Sequence, residues 1–230
     1  MQLYERKYIW QLPVRLWHWV HFGSMIVLSV TGYYIGAPFV SPSAAFTFSA
    51  EGVQIMSVMR FVHFVAAAVL TLVVVWRLYW FFVGNEYAHF RAWVPATNRR
   101  EFGHWLRQLR EQLRYYLFLR RDLPEELGHK PLASLAYIGS MAMLLLQVFT
   151  GWALYGEVNP SGWAWQLFGW VFSLMGRQWL RYLHHALMWG LIAFFIAHLY
   201  MAIRDEVLGS AGTMTAMVSG YKYEAHNERR

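Results

Sequence analysis

Four long apolar runs constrain this chain more than any other feature. They extend from Trp17 to Gly36, Phe61 to Val83, Leu132 to Tyr155 and Tyr182 to Ile203. About 20 helical residues cross the ~30 Å hydrocarbon layer of a bilayer, and each run is long enough to do so. Of the four, only the second holds a charged side chain, Arg77, close to its end. An arginine so placed is expected to snorkel towards the interface. Only 14% of the residues are charged and 57% are hydrophobic, far from the balance of a soluble domain.

A fifth stretch, Trp163 to Met175, is too short to span and is rich in tryptophan. It reads as a segment lying in the interface. The first run starts with histidines and tryptophans and lacks a small-residue cleavage site, so no cleavable leader is expected. The fold class predicted is therefore all-α: a four-transmembrane-helix bundle forming one membrane domain over residues 1–230.

The net charge of +7 is resolved by its placement. With four spans, seventeen of the twenty Lys and Arg residues fall on the side holding both termini and the 91–130 loop, leaving Arg60, Arg177 and Arg181 opposite. That asymmetry puts both termini and the middle loop in the cytoplasm of a bacterial inner membrane, and the short tryptophan-rich segment on the periplasmic side. Basicity is here a topology signal, and no motif points to nucleic acid. Within the loop, Phe102, Trp105, Leu106, Leu109, Leu113, Tyr116 and Leu117 recur at helical steps while Arg107, Arg110 and Arg114 take another face. An amphipathic helix is expected, lying on the membrane surface or packed on the bundle.

The chain has no cysteine, which excludes disulfides, Fe–S clusters and covalently attached haem. A redox centre would have to hang on histidine or methionine. His18, His21, His63, His184, His185 and His198 lie in or at the ends of the spans, where ionisable groups are functional suspects. His184 and His198 are fourteen residues apart, about 40° short of four full turns and ~21 Å along the axis. They therefore share a face at opposite depths. His185 points roughly 140° away from His198, which makes it the more peripheral of the adjacent pair.

By depth, His63 is level with His184 near the outer face, and His18 is level with His198 near the inner face. Two histidines from facing helices are what a low-spin haem needs, and two ligands per site are too few for zinc. Two haem b groups are expected, held by His63–His184 and His18–His198, with His21 the alternative to His18.

These residues also carry a resemblance. Arg15-Leu-Trp-His18-Trp19, continuing through Ser24, Leu28 and Thr31-Gly32, is similar to the first-helix signature of the B-type cytochrome subunit of membrane-bound Ni/Fe hydrogenases. Arg181, Leu183-His184-His185, Trp189, Phe194 and His198 resemble its second signature, and Gly128-His-Lys-Pro-Leu and Met217-Val-Ser-Gly-Tyr221 resemble further blocks. The resemblance implies a membrane anchor for the hydrogenase large and iron–sulfur small subunits. It also implies electron transfer from the hydrogenase to menaquinone or ubiquinone, with no hydrogen chemistry in this chain itself. By analogy the quinone lies on the cytoplasmic side, with His129, Lys130, Arg204 and Asp205 as polar partners. Three other readings stay open at this point: the cytochrome subunit of a formate dehydrogenase or other molybdoenzyme, a free-standing transmembrane reductase, and a haem-free scaffold or transporter.

Overall fold

The computed structural model describes residues 4–37, 50–90, 99–120, 131–208 and 212–225. The elements in chain order are β1 (Tyr4–Tyr8), α1 (Leu12–Gly36), α2 (Ala50–Val83), α3 (Arg99–Tyr116), α4 (Pro131–Gly156), α5 (Trp163–Phe168), α6 (Val171–Leu174), α7 (Arg177–Leu208), α8 (Thr213–Ser219) and β2 (Tyr221–Ala225). Three helices are long and apolar enough to cross a membrane, over Gln54–Val83, Pro131–Gly156 and Arg177–Leu208. The chain is mostly helical, as an integral membrane protein must be where lipid offers no partner for a backbone N–H or C=O.

The side chains follow the same solvent logic. Ile26, Val30, Phe61, Leu72, Phe82 and Ile196 are exposed, whereas Ser24, Thr31 and Thr150 are buried. A buried hydroxyl needs a partner, and each finds one in its own helix. Ser24 donates to the Val20 carbonyl (2.8 Å), Thr31 to Val27 (2.7 Å), Thr71 to Ala67 (2.8 Å) and Thr150 to Leu146 (2.8 Å). This i−4 back-bond uses up the hydroxyl proton and leaves a lone pair free to accept.

Packing groups the chain into two compact units. The first comprises Met1–Leu16, Arg77–Met143 and Ala193–Arg230. Here β1 and β2 pair antiparallel, Tyr4 opposite Ala225 and Tyr8 opposite Tyr221. This two-stranded sheet departs from an all-α expectation. Gly220 makes the entry to β2 possible: its φ is +90°, and a Cβ there would meet the Tyr8 ring at 2.7 Å and the Trp10 carbonyl at 2.9 Å. Its own carbonyl accepts from the Ile9 and Trp10 N–H groups.

The first unit also answers how α3 is held. Gln112 and Tyr115 are buried while Phe102, Leu106 and Leu113 are exposed together with Arg107, Arg110 and Arg114, so the helix is anchored through Gln112 and Tyr115. The Gln112 side chain accepts from the Leu132 N–H (3.0 Å), capping the start of α4. At its other end Phe118 takes a left-handed conformation (φ 61°), and Leu119 N–H returns to the Arg114 carbonyl. This is the bond pattern that closes a helix C-terminus. Non-glycine residues rarely adopt that conformation, and here the Phe118 ring lies 4.2 Å from the Arg204 guanidinium.

Arg77 does not snorkel. It is 3% exposed, with both terminal nitrogens 3.3 Å from the Ala88 carbonyl and the guanidinium 4.2 Å from the Phe81 ring centre. The segment after α2 folds back and offers a carbonyl nearer than the interface, which is a tertiary fact that span hydropathy does not contain.

The second unit comprises Trp17–Trp76 and Leu144–Ile192. At the end of α4, Ala153 packs with Val171 and Leu180, flanked by Phe149, Phe168 and Phe172. The segment expected to lie in the interface thus forms α5 and α6, seated on α4. Gly156 is the closest point of approach, where a Cβ would come within 2.8 Å of the Trp165 backbone nitrogen. Gly156→Ala must therefore displace backbone, and is expected to lower stability by about 1–3 kcal/mol, as overpacking does. A thermal unfolding midpoint in detergent, unchanged from the parent, would contradict this.

Candidate haem-binding histidines

In the second unit, α2 carries His63 and α7 carries the adjacent His184 and His185. The His184 and His185 ring centroids are 6.4 Å apart. The His63 Nδ1 is 2.9 Å from Thr31 Oγ1 on α1, and the His184 Nδ1 is 2.8 Å from Thr150 Oγ1 on α4. Both hydroxyls already donate to their own helix, so towards histidine they accept. Each Nδ1 therefore carries the proton and each Nε2 keeps the lone pair that binds a metal. A third back-bonded threonine in the same unit, Thr71, accepts in this way from the Trp152 Nε1–H, which can only donate, at 3.0 Å.

A glycine follows each of the two threonines. A Cβ at Gly32 would stand 3.1 Å from the His63 Cε1, and one at Gly151 would stand 3.3 Å from the His184 Cε1. His184 Nε2 also lies 3.2 Å from Gln147 Nε2. His185 is held differently, its Nδ1 2.9 Å from the Arg181 carbonyl one turn back on α7 and its ring against Gly36.

His18 and His21 belong to the same unit, on α1. His21 stacks on Trp17 (5.1 Å, 26°) and His18 packs edge-on against Trp19 (5.1 Å, 89°). The His21 Nε2 is buried with no hydrogen-bond partner among the described residues. His198 belongs to the first unit, where it stacks on Phe194 (5.8 Å, 13°).

Arg204 and Asp205 also lie in the first unit and are engaged with α3. The Tyr116 hydroxyl donates to both Asp205 carboxylate oxygens (2.9 and 3.0 Å). Arg204 donates to the Tyr115 carbonyl (3.0 Å), and the Tyr200 hydroxyl to that of Tyr116 (2.6 Å). Burial, and then the nearby Asp205 carboxylate, push the Tyr116 phenol far above its usual value. It therefore stays a donor to Asp205 throughout the physiological range. His129 and Lys130 lie outside the described residues.

Fold and site together define a helical integral membrane protein with imidazoles placed at depth along its helices. The chain belongs to the prokaryotic cytochrome b561 family, whose pattern it matches over residues 9–220. It is 37% identical over 222 residues to the probable Ni/Fe-hydrogenase B-type cytochrome subunit of Azotobacter vinelandii, covering 94% of this chain and 88% of that one. A subunit of the same description from Cupriavidus necator is 37% identical over 225 residues (95% and 87%). The probable Ni/Fe-hydrogenase 1 B-type cytochrome subunit of Escherichia coli K12 is 34% identical over 223 residues (94% and 90%).

A b-type cytochrome carries haem b, and the residues present fit it. The donors are neutral imidazoles, two of them with Nδ1 already bonded and Nε2 unprotonated, as an axial ligand to haem iron must be. Thr150, Gly151 and Gln147 were not among the residues singled out from sequence. The one available signal was the recurrence of a Thr-Gly pair, at 31–32 and 150–151.

Proposed function

We propose that this chain is the di-haem b-type cytochrome subunit of a membrane-bound Ni/Fe hydrogenase. It anchors the large and iron–sulfur small subunits and passes electrons from the small subunit to membrane quinone. The observation that carries the reading is the pair of histidines from two helices of one compact unit, His63 and His184, each with its Nδ1 against a threonine hydroxyl. The names of the relatives supply the hydrogenase. When bound, haem b supplies reversible one-electron chemistry at iron. The chain's own residues ligate, orient the ligands and exclude water.

In this reading α1 is the fourth span. It has 25 residues, about 37 Å of helix, and no charged residue after Arg15. Residues 1–230 act as one domain of the bacterial inner membrane, with both termini cytoplasmic as the charge asymmetry directs. His63 and His184 hold the periplasmic-side haem, and His18 and His198 the cytoplasmic-side haem. Menaquinone or ubiquinone docks on the cytoplasmic side near Arg204, Asp205, His129 and Lys130.

The test is to purify the chain from native membranes with its partners, take a reduced-minus-oxidised spectrum, and count haem b per chain. Two haems and a nickel-containing partner are expected. A molybdopterin-containing partner would point to a formate dehydrogenase type of complex, and the lack of any alpha band to a haem-free scaffold. A second expectation follows from sidedness. Hydrogen oxidised outside and quinone reduced with cytoplasmic protons should build a membrane potential when the complex turns over in liposomes, as a potential-sensitive dye reads. Turnover with no potential would place quinone reduction on the other side.

A further inference from the structure

His63 and His184 sit on different helices and are approached by different helices, yet their surroundings are alike in three respects. Each Nδ1 faces a threonine hydroxyl, at 2.9 Å from Thr31 and 2.8 Å from Thr150. Each hydroxyl spends its proton on the carbonyl four residues back in its own helix, Val27 or Leu146. Each threonine precedes a glycine whose missing Cβ leaves room for the ring, the would-be contacts being 3.1 Å at Gly32 and 3.3 Å at Gly151. A hydroxyl back-bonded in this way serves the neighbouring ring as an acceptor only. The glycine removes the one atom that would hold the ring off.

We propose that the pairs Thr31-Gly32 and Thr150-Gly151 are matching seats for the two axial histidines of a single haem, fixing each ring's tautomer and rotation and lowering that haem's potential. The proposal rests on the bis-histidine reading above and deepens it. A histidine that donates its Nδ1–H to an acceptor becomes a more basic ligand through Nε2. A more basic axial ligand favours ferric over ferrous iron, and hydrogen bonding around the ligand is one of the levers that set haem potential. The threonines are positioning residues, acting through the histidines. Because His63 and His184 serve the same iron here, both seats bear on the same one of the two haems.

The experiment is redox titration with low-temperature EPR of the purified complex carrying Thr31→Val, Thr150→Val, Thr31→Ser or Thr150→Ser, alongside His63→Ala and His184→Ala. Valine keeps the volume of threonine and removes the acceptor, whereas serine keeps the acceptor. Each valine variant should raise the midpoint of the same haem and change the g-anisotropy of its low-spin signal. Each serine variant should titrate as the parent does.

Unchanged potential and g-values in both valine variants, with two haems retained, would overturn the proposal. So would each valine variant moving a different haem. Where a valine variant loses the haem, retention by the serine variant supports the seat and loss by both sinks it. If His63→Ala and His184→Ala keep both haems, the parent reading itself is wrong and the seats fall with it, an outcome distinct from silent threonines beside essential histidines.

Discussion

His184→Ala is expected to take the complex from two haems per chain to one, and His63→Ala to do the same. In the proposed site an alanine in place of either imidazole removes one of the two nitrogens that would hold the iron. His185 is adjacent, but its Nδ1 is bonded to the Arg181 carbonyl of its own helix. Fourteen-residue phasing, moreover, aligns His184 and not His185 with His198. The loss also strands a polar group. Without the His184 ring, the second bond of Thr150 has nothing to close on. Leaving such a buried group unpaired costs about 1–3 kcal/mol. The readouts are pyridine haemochrome stoichiometry and hydrogen-driven reduction of the remaining haem. If the outer haem is where electrons enter, that reduction falls to background although the hydrogenase subunits still turn over with a soluble dye. His185→Ala is the matched control and should keep both haems. A His184→Ala complex with two haems, or a His185→Ala complex with one, would reverse the assignment.

Much of this arrangement was legible because the bilayer imposes a simple grammar. A chain that must satisfy its own backbone in lipid has to be helical wherever it is apolar for long enough, and α2, α4 and α7 lie where their runs lie. Their ends were less legible. α7 extends to Arg177 and Leu208 and α2 starts at Ala50, because a helix continues through polar flanks that no hydropathy window reports. The pairing of β1 with β2 joins residues more than two hundred positions apart, with no turn between them to announce it. Arg77 illustrates the same limit: snorkelling and burial are both open to an arginine near a span end, and the choice fell to a carbonyl, that of Ala88, brought close only by tertiary folding.

The histidine site divides in the same way. Helical phase is a property of one helix at a time, so His184 and His198 could be aligned from their spacing, and His63 and His18 were matched to them by expected depth. What holds a ring in place is a property of two helices together. Thr31, Thr71 and Thr150 are indistinguishable in sequence from threonines that merely bond their own backbone. Only the structure shows that two of them also accept from histidine and one from tryptophan. A glycine such as Gly151 likewise reads as an ordinary small packing residue until a ring is found above it.

His198→Ala is expected to leave a different deficit: one haem lost, the outer one still reduced by hydrogen, and quinone reduction abolished. His198 lies six and seven residues before Arg204 and Asp205, about two turns of α7, and these two bind α3 through the Tyr115 carbonyl and the Tyr116 hydroxyl. In the proposed path electrons enter at the periplasmic-side haem and leave through the inner one, so without the inner haem the outer one should stay reduced under hydrogen. On α1 the partner must be chosen between His18 and His21, three residues apart and within electrostatic reach of each other. His21 carries a buried, unpartnered Nε2, a costly state for a nitrogen with nothing to bind. It is also stacked flat on Trp17, an arrangement a ring keeps when it packs beside a site. His18 is the ligand proposed above, from the depth expected in sequence. His18→Ala should therefore reproduce the His198→Ala phenotype, while His21→Ala keeps two haems and at most shifts the potential of the inner one. If His21→Ala loses the inner haem and His18→Ala retains it, the ligand is His21 and the depth argument on α1 is off by one turn.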